Sequence, residues 1–376
     1  MRKLPTRLIH LGLLSLALGC NAQPTDVAPA SSTAPAEVDA AAAPAIDPAA
    51  AKAIEQLSLT GAKLERGANQ QVTGVDLRGI EVTDALAAEV AALPQLEKLT
   101  IDSAAMSLDG WQQLAKLNQL QQLDLRDAAV DNDQLAAAVS GMPKLKALRL
   151  SGKSGLTSVD DGGLAVLAKC PELKALAIDD LWVSTAGIQH LSQNKKLVEL
   201  YAGGTAIDDE AARVLVELPL LKKLRLSRTG IGTATLETLQ PLGLEDLDIS
   251  EASGINDDSL IPLGKMASLK RLNLWRDTVT DSGVAHLAGL TCLQWLNLDN
   301  THLSDEGLPH LSAMGALTFL HLGSTGVTDA GMPHLVSLKS LKDLKVTRTA
   351  VTEEGVAVVR EAIPGVEVQL KYIEGE

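Results

Sequence analysis

The chain has 376 residues, room for one large or two ordinary domains. Only 2% of residues are aromatic while leucine recurs throughout, which argues against a core built on Phe, Tyr and Trp and for a repeated aliphatic unit. The formal net charge of −14 repels nucleic acid and anionic lipid surfaces, so both are excluded as partners.

The chain opens with Arg2, Lys3 and Arg7, followed by an apolar run from Leu8 to Leu18 that is too short to span a bilayer. Without this segment 30 basic residues face 47 acidic ones, about −17. The run ends Ala17-Leu18-Gly19-Cys20, which resembles the lipobox of bacterial lipoproteins, cut before a cysteine that becomes diacylated. The resemblance implies a signal peptide over 1–19, lipidation at Cys20 and membrane attachment through that lipid alone. Ala17 departs from the family, which usually has Leu three places before the Cys. In the enterobacterial sorting rule an Asp after the Cys retains the protein in the inner membrane. Asn21 therefore favours the outer membrane, facing the periplasm or the cell surface. Next come Ala, Pro, Ser and Thr without a period. Such a stretch buries too little to offset its ordering entropy, so 20–50 reads as a disordered tether.

Residues 50–59 look helical, and 62–66 and 71–77 read as two strands around 67–70. Together, 51–71 form an expected N-terminal cap. From Val72 the chain is self-similar. Aligned on the first residue of L-x-x-L-x-L, units start at Val72, Leu96, Leu120, Leu145, Leu173, Leu197, Leu221, Leu244, Leu269, Leu293, Leu317 and Leu341. The spacing is 24 except for single steps of 23, 25 and 28. A fixed period of this kind is the signature of a solenoid. L-x-x-L-x-L alternates by two at its end, as a short strand with leucines inward. A turn follows, often with Thr at the ninth place (Thr205, Thr229, Thr301, Thr325, Thr349). Thr-Asp-x-Gly or a variant then opens a short helix, with Thr280 and Asp281, or Ser304 and Asp305, read as N-caps. Stacked units predict an α/β solenoid of about twelve repeats over 72–365, a parallel sheet on the concave face and helices on the convex face. At the far end Pro364-Gly365 stops the last helix, and 366–376 reads as a closing strand and tail.

The unit resembles the leucine-rich repeats of ribonuclease-inhibitor-like proteins and of F-box adaptors. It is most similar to bacterial leucine-rich-repeat lipoproteins with a V-T-D-x-G-L-x-x-L unit. That resemblance covers 72–365 and speaks to fold rather than ligand. An F-box-like ubiquitin adaptor is at odds with the export signal, and 51–71 is too short for an F-box.

Catalytic chemistry is hard to find. No H-E-x-x-H, G-x-S-x-G or Walker sequence is present, so no enzyme and no cofactor are expected. Cys170 and Cys292, five repeats apart, should lie on the order of 24 Å from each other, beyond disulfide reach, as two free, buried thiols. His190, His286, His310 and His334 recur at one convex place, where a copied surface position explains them better than a metal ladder. The acids Asp84, Asp209, Asp257, Asp281, Asp305, Asp329 and Glu353 form a column that capping and the helix dipole explain without a metal.

The outward third, fifth and seventh places of each strand are not dictated by the scaffold, so they report on a ligand. Repeat seven carries Lys223, Arg225 and Arg228, answered by Asp246, Asp248 and Glu251 in repeat eight. Repeats nine to eleven place Arg271, Trp295 and Phe319 third and Asn273, Asn297 and His321 fifth, with Trp275 seventh. Three of seven aromatics thus fall on three adjacent strands, with Tyr201 further along the same face. Exposed aromatics beside Asn and Arg have the composition of a binding hot spot. The expected function is a protein-binding module of the cell envelope, with a glycan-binding module and a structural spacer as alternatives.

Overall fold

The computed structural model describes residues 47–371, Ala68 excepted. The signal segment, Cys20 and the tether up to residue 46 lie outside the described residues. The chain is an α/β leucine-rich-repeat solenoid, and its periodicity converts directly into a sheet. β1 (Lys63–Arg66) and β2 (Val72–Asp76) form an antiparallel pair at the N-terminal end. Then follow β3 (Lys98–Thr100), β4 (Gln122–Asp124), β5 (Ala147–Ser151), β6 (Ala175–Asp179), β7 (Glu199–Tyr201) and β8 (Lys223–Arg225). β9 (Asp246–Asp248), β10 (Arg271–Asn273), β11 (Trp295–Asn297), β12 (Phe319–His321), β13 (Asp343–Lys345) and β14 (Glu367–Gln369) complete it. The strands lie in sequence order in one 14-stranded sheet, parallel from β2 onward.

From β7 to β13 each strand is three residues long, and only its middle residue is buried. Leu272, Leu296 and Leu320 are buried and pair in register, while the residues on either side are half-buried. The first and sixth leucines of each unit, such as Leu293 and Leu298, fill the same core. Burying a leucine stabilises by about 2 kcal/mol, but one unit has nothing to bury it against until its neighbours stack. Helix Pro48–Leu59 closes the first repeat with Ala50, Ala53 and Leu57 and is capped by Asp47. It begins three residues before the expected cap boundary at 51, so residues 48–50 belong to the cap helix.

One ladder locks the stack, and it revises the reading of the acidic column. Where the unit reads Thr-Asp or Ser-Asp, the cap is the hydroxyl residue: Thr280 Oγ1 accepts from the Ser282 N–H and Ser304 Oγ from the Glu306 N–H. The following Asp does not cap its own helix. Asp281 accepts from the backbone N–H and the hydroxyl of Ser304, one repeat on, at 2.7 and 2.6 Å. Asp84–Ser107, Asp161–Ser184, Asp257–Thr280, Asp305–Thr328 and Asp329–Thr352 repeat this bridge. The motif glycine follows from it, because a Cβ on Gly331 would overlap the Asp305 carboxylate and a Cβ on Gly355 that of Asp329. T-D-x-G is therefore an inter-repeat joint. Within each repeat the ninth-place threonine closes the turn by donating to the carbonyl three residues back, as the buried Thr301 does to Leu298 at 2.7 Å.

Cys170 is buried and its thiol is pushed up to about 11 by burial, whereas Cys292 is exposed, against the expectation of two buried thiols. Cys170 sits three places before a first leucine, where Leu290 is buried in repeat nine. Cys292 directly precedes Leu293, a place that faces solvent. The convex histidines His190, His286, His310 and His334 are all exposed.

Candidate functional site

Parallel register copies each outward place into a straight column, and the third-place column reads Lys223, Asp246, Arg271, Trp295, Phe319, Asp343, Glu367. Strands at this spacing bring flat side chains face to face. Trp295 and Phe319 stack at 4.8 Å between centroids and 5° between planes. The Arg271 guanidinium lies over the other face of Trp295, 3.4 Å from the ring centroid, with Asp246 3.6 Å behind it. His321 meets Phe319 edge-on at 6.3 Å. Burial holds its imidazole below the ordinary value, partly offset by Asp299, and its Nε2 is buried without a partner.

These side chains are half-buried rather than fully exposed, because each covers its neighbour. Both faces of Trp295 are occupied, so this ring presents its edge to an incoming molecule, whereas Phe319 is stacked on one face only.

The seven residues singled out from the sequence do not form one cluster. Arg271, Trp295, Phe319 and His321 are contiguous. Asn273 serves the scaffold: its Nδ2 donates to Asp248 at 3.0 Å and to Ser250, and its Oδ1 accepts from the Trp275 N–H. Asn297 Oδ1 accepts from the Asp299 N–H at 2.9 Å, while its amide N–H groups make no hydrogen bond among the described residues. Trp275 stands apart on the seventh-place column with Arg276 5.3 Å from its centroid. It lines a hollow of about 480 Å³ with Asn297, Asp299 and Asn300. A larger hollow of about 640 Å³ is lined by residues from Arg78 to Trp275, which only an inward-curving sheet can bring together.

The charged stretch of repeats seven and eight is largely self-paired. Lys223 reaches Glu199 at 2.7 Å, Arg228 reaches Asp180 at 2.8 Å, and Arg225 spans Asp179 and Asp248 at 3.4 and 3.5 Å over Tyr201. Arg276 binds Glu251 at 2.8 Å. Pairs this exposed contribute about 0–1 kcal/mol each and mainly hold the rim in shape.

Three features escaped the sequence reading. Trp182 is 84% exposed at the turn between β6 and the helix Thr185–Gln189. Its place holds Ala206, Gly230, Gly254, Thr278, His302, Gly326 and Ala350 in other repeats, and a tryptophan among mostly small residues was the available signal. The eighth place is left-handed along most of the array, φ 50–77° from Gly79 to Arg348, although Arg228, Arg276 and Arg348 are not residues that favour it. Asp277 occupies a ninth-place threonine slot, 3% exposed, with its Oδ2 buried and unpartnered. Among the described residues no group of three or more His, Cys, Asp or Glu side chains could hold a metal ion.

Against this geometry the comparisons speak to fold. No family model matches the chain, and no curated protein is detectably similar. Among solved structures the chain is similar to an internalin of Listeria monocytogenes, with a TM-score of 0.55 and 16% identity over 86% of this chain and 95% of that one. It also matches a leucine-rich-repeat protein of Leptospira interrogans, with a TM-score of 0.49 and 16% identity over 75% and 80%. The internalin shares the leucine-rich-repeat architecture, and at this identity the likeness is one of fold.

Proposed function

We propose that the chain is a non-catalytic protein-binding module that captures its partner on the concave sheet, centred on the stack of Arg271, Trp295 and Phe319. The observation that carries this reading is the half-buried aromatic deck on strands whose outward residues the scaffold does not prescribe. Half-covered aromatics beside an arginine have the composition of protein hot spots. The covering of Trp295 bears on the competing glycan reading: a sugar ring stacks on an open aromatic face, and both faces of the larger ring are taken by Arg271 and Phe319. Protein side chains pack against ring edges readily.

The module is further proposed to be exported and tethered by a lipid on Cys20, at the outer membrane. The basic start, the short apolar run and the Gly19-Cys20 junction support this. Cys20→Ser should release the protein from membranes or block its maturation; a variant processed normally and still found with membranes overturns the anchor.

The binding reading is tested by capture from envelope extract with wild-type chain and a Trp275→Ala/Trp295→Ala/Phe319→Ala variant. A partner held by the first and lost by the second is expected. A folded variant that retains every captured protein moves the site elsewhere.

A further inference from the structure

The third-place column alternates in charge up to the stack and then stops doing so. Glu199 is paired with Lys223, and Asp246 with Arg271, whose guanidinium lies flat on Trp295. On the far side of the stack the column continues with Asp343 and Glu367, two carboxylates in adjacent register. Neither makes a side-chain hydrogen bond or ion pair among the described residues, and like charges directly opposite on a sheet repel. Among the described residues no cation stacks on Phe319: one face is covered by Trp295, and the register neighbour on the other side is Asp343, whose side chain is shorter than the ring. The order is carboxylate, guanidinium, ring, ring, and then carboxylates without a guanidinium.

We infer that the partner completes this column by laying an arginine side chain on the open face of Phe319, with its N–H groups directed at Asp343 and Glu367. The inference rests on the concave face being the binding surface and names the chemistry bound there. Arg271 over Trp295 with Asp246 behind it is the internal template for the arrangement. A planar guanidinium suits it better than an ammonium group, because it stacks on a ring and forks toward carboxylates at once.

Phe319 is the chain's single phenylalanine, so selective 13C-phenylalanine labelling of the full chain yields one ring reporter that needs no assignment. The probes are acetyl-arginine amide and its neutral isostere acetyl-citrulline amide, titrated at low ionic strength. Arginine amide should move the ring signals saturably, and citrulline amide should weaken that response about tenfold or more. Asp343→Asn/Glu367→Gln should weaken the arginine response to the same degree. This variant relieves a like-charge pair, so its melting temperature should not fall. Equal responses to the two amides, no response to either, or an arginine response that survives the double variant would each overturn the inference. Partner capture separates this from the broader reading: capture lost in the aromatic variant but kept in Asp343→Asn/Glu367→Gln leaves the concave site standing and removes the arginine.

Discussion

Replacing Asp277 by threonine should make the solenoid more stable at neutral pH and remove a pH dependence from it. Asp277 stands where five other repeats place a threonine, and it does so badly. Its Oδ1 accepts from the Ala252 N–H at 3.2 Å, its Oδ2 is buried without a partner, and Asp248 and Glu251 add negative charge nearby. Burial pushes the carboxyl up from 3.8 to about 8. The sign follows from the two states. Below pH 4 both the folded and the unfolded chain hold the proton, so the site is at its most favourable. As the pH rises, the unfolded chain loses the proton near its ordinary value and the folded chain does not, so stability is lost progressively until about pH 8. At pH 7 the gap spans about 3 pH units at about 1.4 kcal/mol each, a cost of up to about 4 kcal/mol. A threonine hydroxyl can instead donate to the Leu274 carbonyl, as Thr301 does to Leu298. Denaturation of both proteins by urea, followed by circular dichroism from pH 4.5 to 8, isolates this group, because other carboxylates are common to both. One of these is Asp76, held at about 2 chiefly by its hydrogen bond with Arg78. The curves should converge at low pH and separate as pH rises, with amide exchange over residues 252–277 slowed in the variant at pH 7. Parallel curves, or a variant less stable than wild type at pH 7, would refute the reasoning.

Gly331→Ala should cost about 2 kcal/mol by forcing the inter-repeat joint apart, and Asp305→Ala in the same chain should recover part of it, a coupling readable in a double-mutant cycle. Trp295→Ala should leave the melting temperature nearly unchanged, since the ring is half-exposed, while costing about 2 kcal/mol or more of partner binding; unfolding would place the ring in the core instead. In a chain carrying Cys20→Ser, Ellman's reagent at pH 8 should modify Cys292 alone until denaturant is added, because the Cys170 thiol is buried and stays protonated. Deleting residues 293–316 should leave a folded, shorter solenoid by circular dichroism, because Asp281 then meets Thr328 and Gly331 in place of Ser304 and Gly307.

The period alone determined the fold class, the order of the strands and the register of the third-place column. Each unit repeats the same inward residues, and stacking is the one way they can all be buried, so Arg271, Trp295 and Phe319 had to fall in line. What a column cannot show is how its members use one another, because that depends on distances between repeats. Tertiary structure decided that Asp281 serves the next repeat and not its own helix, and that the motif glycine makes room for the preceding repeat's carboxylate. It also decided that Trp275 stands away from the stack and that Asn273 holds the strand end. Cys170 and Cys292 differ by two places in the unit, and that offset moves a side chain from the core to solvent. Asp277 looks like any polar turn residue in the sequence. Only the closed stack around it makes its carboxylate an orphan, because desolvation is a property of everything packed around a group and not of the group's own place in the chain.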